Sequence, residues 1–164
     1  MKANLSSQIK LDRTPKRYYR PDNAFELTAL TRFEKVFTEI YESSEEGALQ
    51  GAREVADLMR TREKEGRFCV LALGSGAGTH GVYRELVRMH QNEGLSFSNT
   101  IIFNVSEFFP LEADAPGTSK LLHEVLIDLI DIDPQNVYTP DGTIAKESIF
   151  DFCKDYEKKI EKLG

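Results

Sequence analysis

Cysteine is scarce in this chain: Cys69 lies in an apolar run and Cys153 in a helical pattern, and there are no others. Two cysteines cannot make the disulfide framework of a small secreted domain, so they read as buried thiols in a reducing compartment. Also lacking is any apolar stretch long enough to span a bilayer, or an N-terminal apolar segment of the leader type. These absences point to a cytoplasmic protein with no membrane partner. No internal repeat or low-complexity tract appears. Basic residues are few beyond the start of the chain. Residues 1–20 hold six of them against Asp12 alone, which leaves 15 basic and 26 acidic side chains in the remainder. Such an acidic body repels nucleic acid. The basic arm, with Tyr18 and Tyr19, reads as a segment docked on its own body or on a neighbouring subunit.

What is present is the composition of a soluble globular domain, 164 residues with 40% hydrophobic and 29% charged residues. That is enough chain to bury one core. Residues 1–35 read as a basic arm followed by a short helix, with Asn23 and Glu26 as a capping pair ahead of Phe25, Leu30 and Phe33. Residues 36–41 (VFTEIY) alternate apolar and polar side chains, which predicts a strand. Ser43 and Glu46 form a capping box for a helix whose buried face carries Ala48, Ala52, Val55, Ala56 and Met59.

A central strand then runs into glycines at residues 68–83, FCVLALGSGAGTHGVY. Strand, glycine loop and helix together make an anion site. The glycines permit tight turning, main-chain N–H groups face inward, and the positive end of the helix dipole points at the same place. The helix carries Val82, Tyr83, Leu86, Val87 and His90 on one face and ends at Gly94. TIIFN at residues 100–104 predicts a strand buried on both faces, followed by a VSEFFPL loop at its carboxyl end. Beyond it come a helix with Leu122, Val125, Leu126 and Leu129 inward, and a short strand over residues 136–138. A final amphipathic helix carries Ile149, Phe152, Cys153, Tyr156, Ile160 and Leu163. Alternating strands and helices predict an α/β/α sandwich around a Rossmann-like, mainly parallel sheet. It is incomplete at its C-terminal end, because the last helix presents an apolar face that wants more sheet to cover.

Two chemistries compete for the loop. Residues 76–81 match G-x-G-x-x-G between a strand and a helix, the dinucleotide fingerprint. The next strand, however, ends in Asn104 and Ser106, with Glu107 late for a ribose contact. The alternative is a single phosphate held by Ser75, Gly76, Ala77, Gly78 and Thr79, the two hydroxyls adding donors. No lysine stands in the G-K-[ST] position, which argues against nucleotide hydrolysis.

Four blocks, FCVLALGSGAGTHGVYRELVRMH, EGLSFSNTIIFNVSEFFPL, IDIDPQNVYTPDG and FCKDYEKKI, keep an order and spacing that resemble the N-terminal portion of the glucosamine-6-phosphate deaminase family. The resemblance spans residues 36–164 and displaces the NAD reading. It implies a Rossmann-like sandwich, and a metal-free and cofactor-free conversion of glucosamine 6-phosphate to fructose 6-phosphate and ammonia. The scaffold is one shared with 6-phosphogluconolactonases. It also implies that the family's T/S-G-G/S-T-P phosphate loop falls on Ser75, Gly76, Ala77, Gly78 and Thr79. The family's F-N-x-D-E falls on Phe103, Asn104, Val105, Ser106 and Glu107, so that Ser106 replaces the aspartate base. A serine with no base partner cannot take a carbon-bound proton, and Glu107 points the other way in extended backbone. The family's Asp-x-His motif does not occur in this sequence. His90 and His123 read as structural, and His80 as a phosphate contact. The resemblance implies a hexosamine or hexose 6-phosphate as ligand and a chain without turnover by itself. The partner expected for this N-terminal portion is further copies of itself in a homo-oligomer or the remainder of a longer chain. A regulatory or assembly module is the rival reading.

Overall fold

The computed structural model describes residues 23–25, 39–112 and 115–164. The chain divides into two compact units, Met1–Ile40 and Tyr41–Gly164. In the first unit Ala24 and Phe25 are helical. The basic arm and most of the short helix after Asn23 lie outside the described residues. Residues 36–38 of the predicted first strand lie outside them too, and residues 39–41 are not a strand; the chain bends at Glu42 and Ser43 into the next helix.

Helix α1 spans Ser44–Lys64. Its cap forms as the sequence indicates, with the N–H of Glu46 donating to the Ser43 hydroxyl at 3.0 Å. The reciprocal bond shifts by one residue, since the Glu46 carboxylate accepts from the N–H of Glu42 at 3.4 Å. Glu45 and Glu46 in the first turn, and Arg62 and Lys64 in the last, suit the helix dipole. Ala52, Ala56 and Met59 are buried, with Ala48 and Val55 half-buried at the margins of that face.

Strand β1 (Cys69–Leu73) follows, then α2 (His80–Glu93), which stops at Gly94 with φ 70°. That left-handed conformation is strained for residues with a side chain, so glycine ends the helix there. Next come β2 (Thr100–Asn104), wholly buried, α3 (Thr118–Val125), the short β3 (Val137–Tyr138) and α4 (Ile149–Leu163). The three strands are parallel, in the order β1-β2-β3. Among the described residues the middle strand is therefore β2, not the strand before the glycine loop. Burial agrees, because Ala72 of β1 is exposed while no residue of β2 is.

The two faces of the sheet are covered differently. Cys69, Leu71 and Ile102 share a face and pack with residues of all three preceding helices, among them Met59, Tyr83, Leu86 and Leu122. On the other face Phe103 stacks on Tyr138 with ring centroids 4.8 Å apart. Tyr156 of α4 meets Phe103 edge-on at 5.8 Å. The Tyr156 hydroxyl is within 2.9 Å of the carbonyls of both Asn104 and Tyr138, tying α4 to two strand ends. Burial pushes the Tyr156 phenol up to about 12.

Helix α4 otherwise stays shallow. Ile149, Phe152, Tyr156 and Leu163 are half-buried, while Cys153 and Ile160 are exposed. Cys153 is thus not the buried thiol read from the sequence: among the described residues α4 alone packs on this face, and positions at the edge of its apolar stripe meet solvent. Cys69 is buried, and both thiols are free. Leu129 is likewise exposed, because the chain leaves α3 through a tight turn at Ile127–Leu129 that buries Ile127 instead. His90 Nδ1 lies 2.7 Å from the Leu95 carbonyl, and His123 pairs with Asp128 at 2.9 Å.

Gly81 is where α1 and α2 approach most tightly. A methyl group there would lie 2.8 Å from Cβ of Ala48, below ordinary contact. Gly76 has φ −73° and ψ 151°, and a methyl group on it would meet nothing within 4 Å. Gly81→Val is therefore expected to lower stability in urea unfolding by about 1–3 kcal/mol through overpacking. Gly76→Val should stay within about 1 kcal/mol of wild type. Equal losses at the two positions would refute this account of the glycines.

Candidate functional site

The carboxyl ends of β1 and β2 lie side by side. Leu73 pairs with Asn104, and the N–H of Val105 continues the ladder to the Leu73 carbonyl at 3.0 Å. Two loops therefore leave the sheet from one point, residues 74–79 and residues 105–117. In parallel α/β sheets this edge is where ligands bind.

The first loop is held by its own hydroxyls. Thr79 Oγ1 lies 3.0 Å from the Gly74 carbonyl and 2.8 Å from that of Gly76. Ser75 Oγ donates to the Thr118 carbonyl at 3.0 Å. The Tyr83 hydroxyl also donates to Gly74, and burial pushes its phenol above the usual range. The sequence reading gave the Ser75 and Thr79 hydroxyls to a ligand, but in this geometry both bond main-chain carbonyls. What faces outward is backbone: Gly76, Ala77 and Gly78 are exposed, and side chains added at Gly76 or Gly78 would enter open space. Ala77–Thr79 form one tight turn leading into α2, closed by the Thr79 N–H donating to the Gly76 carbonyl at 3.0 Å, which leaves the N–H groups of Ala77 and Gly78 ahead of it without a partner within the turn. They also sit at the positive end of the helix dipole.

These glycines do not provide a left-handed turn. Among the described residues only Gly66 and Gly94 have positive φ. Their contribution at 76 and 78 is a bare main-chain surface. His80 begins α2, and its Nε2 is buried with no partner among the described residues. Beside it is a hollow of about 450 Å³, between the starts of α1 and α2, whose lining includes Ser44, Glu45, Ala77, Gly78 and Arg84.

The second loop is organised by Glu107. Its carboxylate accepts from the N–H groups of Phe108 (2.8 Å), Thr118 (2.8 Å) and Ser119 (2.9 Å). Burial opposes the charge, but the bonds from Ser119, Thr118 and Phe108 outweigh it and hold Glu107 below its ordinary value. Glu107 thus occupies the N-terminus of α3 as an internal anion. Space around it is tight, for a methyl group on Gly117 would lie 2.8 Å from Glu107 Oε2. Ser106 is exposed, and its carbonyl accepts from the Thr118 hydroxyl. Asn104, wholly buried, donates from Nδ2 to Thr118 Oγ1 at 3.1 Å, and its Oδ1 has no partner among the described residues.

The structure thus brings Ser75 and Ser106 to one place through Thr118, while His90 and His123 bond elsewhere. The sequence reading missed Thr118 altogether. Gly117-Thr118-Ser119 ahead of an apolar helical run is a signal for a helix start that could have found it.

A parallel sheet packed by helices, with a glycine loop between its first strand and the next helix, defines a Rossmann-like α/β scaffold. Sequence relatives make the class specific. The chain is 57% identical over 165 residues to a glucosamine-6-phosphate deaminase-like protein of Bacteroides thetaiotaomicron, matching 100% of this chain and 25% of that protein. It is 31% identical over 114 residues to a glucosamine-6-phosphate deaminase of Thermoanaerobacter sp., 69% of this chain and 44% of that one. A solved monomeric glucosamine-6-phosphate deaminase superposes with TM-score 0.69 at 30% identity, over 76% of this chain and 49% of that chain. The 6-phosphogluconolactonase of Thermotoga maritima shares the fold, with TM-score 0.58 at 18% identity over 76% of this chain and 53% of that one. No family model matches. The chain belongs to the glucosamine-6-phosphate deaminase family, as an N-terminal portion of it. It spans less than half the length of the curated relatives named here. No described helix is long and apolar enough to cross a membrane.

The Glu107 cap carries a pH signature. Because its folded pKa is depressed, the stability it contributes is complete above the ordinary carboxylate range, about pH 4.3. It is lost as pH falls through the lower, folded value. Glu107→Gln should be less stable by about 2 kcal/mol near neutrality, and the gap should close in acid. Urea midpoints across pH 2–7 test this, and a gap that stays constant with pH would contradict the role assigned to the carboxylate.

Proposed function

We propose that this chain is the phosphate-holding part of a glucosamine-6-phosphate deaminase-like protein. It binds a hexosamine or hexose 6-phosphate on the exposed amides of Gly76, Ala77 and Gly78 and does not by itself deaminate the sugar. The observation that carries the binding half is the exposed turn Ala77–Thr79 at the head of α2. Backbone donors with no side chain in front of them, at a helix N-terminus, suit a terminal phosphate dianion. Gly76 and Gly78 keep the approach open, and His80 lies next to the turn.

The second half rests on the residues after β2. Ser106 stands where the family pattern puts its aspartate base, and a hydroxyl without a basic partner cannot abstract a carbon-bound proton at neutral pH. Glu107 is no substitute, since both of its oxygens are bonded to N–H groups at and beside the start of α3. An Asp-x-His motif is not found among the 164 residues. A part that binds sugar phosphate without turning it over accords with a regulatory role, or with chemistry completed by residues outside this sequence.

Isothermal titration with glucosamine 6-phosphate and with glucosamine, beside an ammonia-release assay, tests both halves. Only the phosphorylated sugar should bind, Gly76→Val should weaken it about tenfold or more through lost charge-assisted bonds, and ammonia should stay at background. Equal affinity for the two sugars would refute the phosphate site. Turnover would refute the inactive reading.

A further inference from the structure

The two loops at the sheet edge meet at Thr118. Its N–H donates to Glu107 Oε1 at 2.8 Å. Its hydroxyl donates to the Ser106 carbonyl and accepts from Asn104 Nδ2 at 3.1 Å. Its own carbonyl accepts from Ser75 Oγ at 3.0 Å. A hydroxyl has one proton, so these roles are mutually consistent only with Asn104 turned as it is, with the amide nitrogen towards Thr118. Asn104 itself is wholly buried in β2, and its carbonyl is bonded by Tyr156 of α4. Side-chain position at Thr118 is therefore referred to a fully buried residue at the end of β2.

We infer that Thr118 is a positioning residue for the glycine loop. Its hydroxyl, clamped between Asn104 and Ser106, fixes the first turn of α3, and the Thr118 carbonyl then holds Ser75 and with it the amides of Gly76, Ala77 and Gly78. The coupling itself is a property of the unliganded chain. Its consequence for affinity rests on the reading of that loop as the phosphate site. Loops on a sheet edge adopt many conformations unless side-chain bonds select one, and an anion cradle of bare amides works only when its donors are already aligned.

The test uses the 164-residue chain, with amide order parameters from ¹⁵N relaxation and titration with glucosamine 6-phosphate. Thr118→Val should lower the order parameters of Gly76, Ala77 and Gly78 from about 0.85 towards 0.6, and weaken the sugar phosphate about tenfold. Thr118→Ser, which keeps the hydroxyl, should restore both. Ser75→Ala should loosen the same three amides while leaving those of Thr118 and Ser119 unmoved. In the Ser75→Ala background Thr118→Val should add nothing further at the loop. Loop amides that stay as ordered as in wild type in either single variant would overturn the inference, whatever binds. Coupled loosening in a chain that binds no sugar phosphate would uphold the inference and overturn only the phosphate reading.

Discussion

Everything at the functional edge of this fold depends on one carboxylate. Helix α3 starts inside a crowded loop, and its first N–H groups have no partner within the helix. Glu107 supplies them from within the chain, at 2.8–2.9 Å. Once that anion is fixed, the residues around it have little freedom. Gly117 can carry no side chain beside it, the Leu111 N–H reaches the Gly142 carbonyl at 2.8 Å, and Thr118 is brought within reach of Asn104, Ser106 and Ser75 together. The internal anion also divides the labour between two helix heads: α3 is satisfied by Glu107, and α2 keeps exposed backbone donors in front of it.

Below this edge the sheet acts as the reference frame. The helices α1, α2 and α3 seal one face with close-packed side chains, and Gly81 allows α1 and α2 to touch. Among the described residues the opposite face is joined to α4, chiefly through Tyr156, whose hydroxyl lies between the carbonyls that end β2 and β3. On that face Val70 is half-buried and Ala72 exposed. The asymmetry is consistent with a chain that spans less than half of its curated deaminase relatives.

Much of this was legible in the sequence, and the parts that were not have physical reasons. Period and caps placed the helices, from the Ser43 and Glu46 box to the stop at Gly94, because those signals are local. The apolar runs CVLAL and TIIFN became parallel neighbours, as alternation of strand and helix implies. Strand order did not follow, since which run lies in the middle depends on pairing between distant segments. Cys153 and Leu129 were misplaced because periodicity finds the apolar side of a helix but not how much of that side its neighbours cover. At the site, position in the fold was readable and roles were not. Glycines at 76, 78 and 81 look alike in a motif, yet one packs helices and two bare the backbone. Glu107 reads from sequence as an acid late for a ribose contact and turned away from the base position, and only the fold shows the helix N-terminus it satisfies.

The central claim is that one helix head is filled by the chain's own carboxylate while the other is left for a phosphate. Amide chemical shifts followed during titration with glucosamine 6-phosphate test it most directly. The account predicts saturable shifts at Gly76, Ala77 and Gly78, with Thr118 and Ser119 unmoved and no response to glucosamine without phosphate. Shifts centred on Thr118 and Ser119, or a loop that does not respond, would contradict it.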